Sequence, residues 1–235
     1  MQADAHGCAE APNWNFNVSH EGAFVVLAAE PRLLCGVDVA APSQLRRRGA
    51  PQPAAELLEL LSAQFSPSER DAVLGAGSEE ARADTLRALW SLKEAYVKAR
   101  GDGLGFDLSR ATFGWAPAAA ADPAADPPAE AILMVDGVPQ SAAWRFTMQK
   151  LGGRAADGCH WVSVALGPPS AAVDAQGSFR ATFRCPAAEL SAVEAGDAPP
   201  FSLLTVRLLF SRGQSSVGPP LRRAHVAGVL LLTGV

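Results

Sequence analysis

Trp90-Ser-Leu-Lys93-Glu94-Ala-Tyr-Val-Lys98-Ala-Arg-Gly101-Asp-Gly103-Leu104 decides the fold, because it sets charge beside a broad apolar helical face and then stops at glycines. At about 100° per residue, Arg87, Ser91, Glu94 and Lys98 fall on one polar strip. Leu86, Leu89, Trp90, Leu92, Tyr96, Val97 and Ala99 form the opposite arc, and Lys93 falls inside that arc. Glu94 and Lys98 are one turn apart, so the plainest reading is a solvated pair that stabilises the helix by about 0.3 to 0.5 kcal/mol.

Working upstream, the helix opens near Glu79, where Glu79 and Glu80 suit the positive end of its dipole. It closes at Gly101, just after Lys98 and Arg100. Ser66-Pro67-Ser68-Glu69 is a capping box with proline in the first turn, and predicts a short helix to Leu74 that Gly75-Ala-Gly77 ends. Ala54 to Gln64 has the spacing of an amphipathic helix. Ordered structure is expected from Asn13. The apolar runs Ala23 to Ala29 and Leu33 to Val39, joined by a turn at Pro31-Arg32, predict a hairpin that finishes on Asp38.

Downstream, Ala111 to Trp115, Ala131 to Asp136, Trp144 to Lys150 and His160 to Leu166 read as strands, with a hairpin turn at Asp136-Gly137. Ala116 to Ala129 is an Ala/Pro/Asp loop. Phe201 to Phe210 and Val226 to Leu232 are strand-like pieces with no obvious partners, in a tail from Gly167 expected to be largely disordered.

The 235 residues are 49% hydrophobic and 19% charged, enough for a folded core, although alanine, 21 glycines and 18 prolines inflate the apolar share. A net charge of −4 gives no basic stripe for nucleic acid. Arg46, Arg47 and Arg48 are a local exception, either a contact for an acidic partner or a solvated loop. The four cysteines have neither metal-ligand nor C-x-x-C spacing, and read as reduced thiols. No apolar run is long enough to span a bilayer and no signal-peptide pattern is present, so no membrane partner is expected and the cytosol is the default, with organellar targeting by an upstream segment as the alternative; a monomer is expected.

Placement alone marks a few groups for chemistry. Asp38 ends a strand, and Asp38 with Glu94 gives two carboxylates from separate elements, the minimum for a magnesium ion that keeps water and phosphate oxygens in its shell. Lys98 beside them suits a phosphate. Ser19 and His20 lie at a turn that can donate to an anion, although a lone turn histidine is more often a surface residue.

Three strings in order, Phe16-Asn17-Val18-Ser19-His20, Gly36-Val37-Asp38 and Trp90 to Leu104, resemble the 4'-phosphopantetheinyl transferases of the larger, Sfp-like type, and within them the animal-type branch. The resemblance covers residues 13 to 166. It implies an α+β fold of two pseudo-symmetric lobes with coenzyme A as co-substrate in the cleft, and transfer of phosphopantetheine to a serine of an apo acyl or peptidyl carrier protein. By the same resemblance Asp38 and Glu94 would hold Mg²⁺, Glu94 would help deprotonate the serine, and Lys98 would meet the pyrophosphate. Ser19 and His20 would grip the nucleotide end, and Lys93 would reach past its own stem toward the ligand. Trp90, packed on the sheet, would fix the aim of Glu94.

The chain departs from the family pattern in two places. Bacterial members carry a second carboxylate two residues after the first, where Ala40 stands here; the animal-type branch also lacks it. Members have most of a further half-domain before Asn-Val-Ser-His, where this chain has sixteen residues, the first twelve of them expected to be disordered. The expected organisation is therefore a disordered stretch 1–12, the remainder of an incomplete N-terminal lobe with connecting helices over 13–78, a transferase lobe over 79–166 and the tail 167–235. Loss of the first strands should leave an open sheet edge beside Ala23 to Ala29, with poor solubility or weak coenzyme A binding. The alternatives are a non-catalytic binding module for coenzyme A or carrier protein, and a structural α+β domain.

Overall fold

Helix α3 (Glu79–Arg100) begins and ends where local chemistry dictates. The Ser78 side chain accepts from the Ala81 N–H at its start, and Gly101 closes it in the left-handed region at φ 81°. Helix α2 (Pro67–Leu74) carries the full capping box, with Ser66 and Glu69 each accepting the other's backbone N–H. Helix α1 (Ala54–Leu60) is shorter than its amphipathic spacing predicts, because its last turn tightens into a 3-10 segment at Ser62–Gln64.

The computed structural model describes residues 15–22, 24–30, 33–42, 46–47, 50–115, 129–140, 142–152, 159–173, 202–205 and 228–233. Expectations for residues 1–12, for Arg48, for 116–128 and for most of the tail lie outside the described residues.

Among the described residues the strands form two main sheets. The first has the order β1 (Asn15–Glu21), β2 (Phe24–Glu30), β12 (Gly228–Thr233), β11 (Ser202–Thr205). The second has the order β3 (Leu34–Ala40), β10 (Cys159–Gly167), β9 (Arg145–Gly152), β7 (Ala129–Val135), β6 (Ala111–Trp115), with β8 (Val138–Pro139) added to β7. A two-residue ribbon joins β4 (Arg46–Arg47) to β5 (Ala50–Pro51). The β7–β8 turn puts Asp136 and Gly137 at φ 50° and 77°, the sign that an Asp-Gly hairpin requires.

Two expectations are corrected here. The runs around Pro31 do not pair with each other: β2 pairs with β1 and β12, and β3 pairs with β10. Both runs are apolar, but β3 is buried along its whole length, so it needs a layer on each face. It gets β2 on one side, through Phe24, Val26 and Ala28 against Cys35, Val37 and Val39, and α3 on the other. The open edge expected beside Ala23 to Ala29 is occupied by β12, so the strand-like tail piece has β2 as its partner. Exposed apolar surface lies instead on the outward face of β1, at Phe16 and Val18.

The free edge of β3 is closed by side chains. Alternate residues of β1 do it: Asn15 Nδ2 donates to Leu33 O, Asn17 Oδ1 accepts from the Val37 N–H, and Ser19 Oγ accepts from the Val39 N–H. These bonds satisfy backbone groups that a missing ladder would leave open, and they set β1 beside the strand that ends near Asp38. Of the described cysteines, Cys159 is exposed, while burial pushes the Cys35 thiol up to about 12.

Helix α3 lies against β3 because Gly36 has no side chain. A Cβ there would meet the Ala95 carbonyl oxygen at 2.0 Å and the Ala99 nitrogen at 2.5 Å, both helix backbone atoms that cannot step aside. We expect Gly36→Ala to lower stability by about 3 kcal/mol. Gly77→Ala, where a Cβ meets nothing within 4 Å, should leave the urea midpoint almost unchanged; equal midpoints for the two variants would contradict the close approach.

Candidate functional site

The polar strip of α3 faces the sheet, contrary to its reading as a solvated face. At the N-terminal end, Asp84 accepts from Trp161 Nε1 at 3.0 Å and meets Arg87 at 3.0 Å and Lys150 at 2.8 Å. One step on, Ser91 is fully buried. Its hydroxyl donates to Ala88 O, so the 2.6 Å contact with Ser163 on β10 is a bond donated by Ser163. Past the Gly36 crossing comes Lys98. Asp84, Ser91 and Lys98 each find a partner on the sheet across this seam, which is what makes their burial tolerable.

Lys98 does not pair with Glu94 in the way the helical spacing suggests. Its Nζ reaches across to β3, meeting Asp38 Oδ1 at 2.5 Å, Ser19 Oγ at 3.0 Å and Val37 O at 3.4 Å. The Ser19 hydroxyl in turn donates to Asp38 Oδ1 at 2.9 Å. Strand β1 thus supplies Ser19, β3 supplies Asp38 and α3 supplies Lys98, three residues far apart in sequence tied at one carboxylate oxygen. Asp38 is buried, and that burial pushes its carboxyl above the usual range while Lys98, Ser19 and the Val39 N–H pull it back.

Glu94 lies one turn before Lys98, half-buried and with no hydrogen bond or ion pair among the described residues. Burial raises its carboxyl pKa, the charge of Asp38 raises it further, and Lys98 opposes both. The carboxyl is therefore within electrostatic reach of the Asp38 group and available to a ligand. His20, next to Ser19, is exposed on the opposite face of β1.

Lys93 is not brought to this group. It is fully buried, with Nζ 2.8 Å from Glu69 Oε2 and donating to Leu108 O at 2.9 Å and Ala111 O at 2.5 Å. Glu69 completes the knot by accepting from the Ser66 and Phe113 N–H groups. One ion pair therefore joins the α2 cap, the middle of α3 and the start of β6. Burial pushes the Lys93 ammonium pKa down, against the pull of Glu69. Trp90, expected on the sheet, has its ring contact with Phe65 at 6.3 Å, just before the α2 cap.

Sequence reading missed Asn17, Glu69 as an ion-pair partner, and the reason for Gly36. Signals existed for two of them: a glycine inside a buried apolar strand marks a close backbone approach, and a lysine on an apolar arc requires a buried anion.

Asp38 and Glu94, with the Ser19 hydroxyl and Val37 carbonyl beside them, are an oxygen-rich donor set. Among the described residues no group of three or more His, Cys, Asp or Glu gathers. Two carboxylates fit a hard cation that keeps much of its water and takes further oxygens from a phosphate, and do not fit an all-protein cage.

The chain belongs to the 4'-phosphopantetheinyl transferase superfamily, whose family model matches residues 34–157. It is 35% identical over 158 residues to the L-aminoadipate-semialdehyde dehydrogenase-phosphopantetheinyl transferase of Pongo abelii, covering 67% of this chain and 47% of that protein. It is 39% identical over 104 residues to a phosphopantetheinyl transferase of Thraustochytrium sp., covering 43% of this chain and 35% of the relative. Over 99 residues it is 28% identical to 4'-phosphopantetheinyl transferase Sfp of Bacillus subtilis, covering 42% and 38%. The chain spans about half the length of the first of these relatives and less of the other two.

The Lys93–Glu69 pair carries its own test. Lys93→Met would leave the Glu69 carboxylate buried without its cation, and should cost about 3 to 5 kcal/mol in urea unfolding. A loss below about 1 kcal/mol would show that Glu69 does not depend on Lys93.

Proposed function

We propose that the chain transfers the phosphopantetheine arm of coenzyme A to a serine hydroxyl of an apo acyl or peptidyl carrier protein. The observation that carries the reading is the convergence of Ser19, Asp38 and Lys98 on one carboxylate oxygen, with the uncommitted carboxyl of Glu94 one helical turn away. The superfamily membership supports the same reaction class.

Asp38 and Glu94 are the residues that would hold Mg²⁺. When bound, the ion would supply positive charge against the pyrophosphate. Lys98, on a side chain that remains partly exposed, can place its ammonium on the same phosphates and offset the charge that builds on the leaving group. Glu94 takes the proton of the incoming serine, directly or through water. The serine oxygen forms a bond to the phosphorus that bears the pantetheine arm. The bond from that phosphorus to the bridging oxygen breaks, and 3',5'-adenosine bisphosphate leaves.

Exposed His20 and the turn behind it are the groups for the nucleotide phosphates. Ser19 is held by Asp38, Lys98 and Val39, so in this reading it aligns Asp38 and Lys98 as well as meeting the ligand. Lys93 joins them only indirectly, through the helix that its ion pair anchors. The sheet containing β1 and β2 is then the remainder of a first lobe, and the β3-to-β6 sheet with α3 is the second. Arg46 and Arg47, on the β4–β5 ribbon, are the candidate contact for an acidic carrier.

Incubation with fluorescent coenzyme A, Mg²⁺ and an apo carrier protein tests this directly. Labelling of the carrier is expected, falling at least about 100-fold in Glu94→Gln and in Asp38→Asn. Carrier binding without labelling would replace the enzyme by a binding module. A folded sample that engages neither coenzyme A nor carrier would overturn both readings.

A further inference from the structure

We infer that Lys98 is a place-holding cation: its ammonium occupies Asp38 until a divalent cation and a phosphate displace it jointly, each favouring the binding of the other. The inference rests on the reading of Asp38 and Glu94 as metal ligands. Its own ground is the geometry of Asp38 Oδ1, which already accepts Lys98 Nζ at 2.5 Å and Ser19 Oγ at 2.9 Å. A divalent cation on that carboxylate would stand within a few ångströms of a like-charged ammonium, in a place where Asp38 is buried and solvent screens poorly.

Asp38 and Glu94 bring two negative charges and Lys98 one positive, so the three groups together carry one net negative charge. A divalent cation alone reverses that to one net positive and leaves Lys98 without its anion. A phosphate alone meets two carboxylates. Together they cancel each other, and the phosphate gives Lys98 a new partner. The lysine has the means to move, since its side chain is 30% exposed and its stem is unbranched, whereas Asp38 is held by Ser19 and by its strand. Metal and phosphate should therefore bind with positive linkage, each strengthening the other by the same factor.

Titration of the whole 235-residue chain with Mn²⁺, followed by the electron paramagnetic resonance signal of free Mn²⁺, tests this without any turnover. Lys98→Met should bind Mn²⁺ about tenfold tighter than wild type, and Lys98→Arg should stay near wild type. Saturating inorganic phosphate should tighten Mn²⁺ binding about fivefold or more in wild type and by a smaller factor in Lys98→Met, which has no ammonium to pass to the phosphate. Should Lys98→Met fail to fold by circular dichroism, Lys98→Gln and the phosphate response of wild type decide the point. Equal Mn²⁺ affinities for wild type and a folded neutral variant, or no phosphate response in wild type, would overturn the place-holder and leave the carboxylates as ligands. No Mn²⁺ binding by any of the proteins would overturn the metal-site reading itself.

Discussion

The missing side chain at Gly36 is the constraint on which the rest depends. Helix α3 can rest its backbone on β3 only because nothing projects from that position, and the same contact lets Lys98 reach Asp38 two residues along the strand. Held further off, a lysine stem could still wander toward the carboxylate, but Ser91 would lose Ser163 and the polar seam would be left unsatisfied. Strand β3 is correspondingly the most enclosed element, between α3 on one face and β2 on the other, with its free edge closed by Asn15, Asn17 and Ser19.

Two lysines five residues apart on α3 have opposite fates, and the difference is where each stem leaves the helix. Lys93 points into the apolar core and is locked to Glu69, so it joins elements and cannot meet a ligand without breaking that pair. Lys98 emerges at the rim of the β1–β3 junction, where one end of its reach is buried carboxylate and the other is open. A cation that can exchange partners belongs at the second position. Glu94 lies between them, close enough to Asp38 to feel its charge and free of any partner among the described residues.

The parts of this arrangement that were legible in the sequence are the local ones. Ser66 to Glu69, Glu79 and Gly101 announce helix ends through groups within four residues, and Asp136-Gly137 announces its turn in the same way. Pairing was not legible, because an apolar run such as 23–29 says that it will be buried and nothing about which edge it will use. Hence β2 and β3, neighbours in sequence, fell in different sheets. Asp38, Glu94 and Lys98 could be named as a group from their strings. That Lys98 would prefer Asp38 to Glu94, and that the polar strip would turn inward, follows only from the depth at which Gly36 lets the helix sit.

The most direct measurement is a double-mutant cycle on stability in Asp38→Asn, Lys98→Met and the pair, by urea unfolding of the ligand-free chain. A coupling of at least about 1 kcal/mol is predicted, since either change alone strands the other group at a buried junction. Effects that add to within about 0.5 kcal/mol would contradict the assembly of this site across α3 and β3.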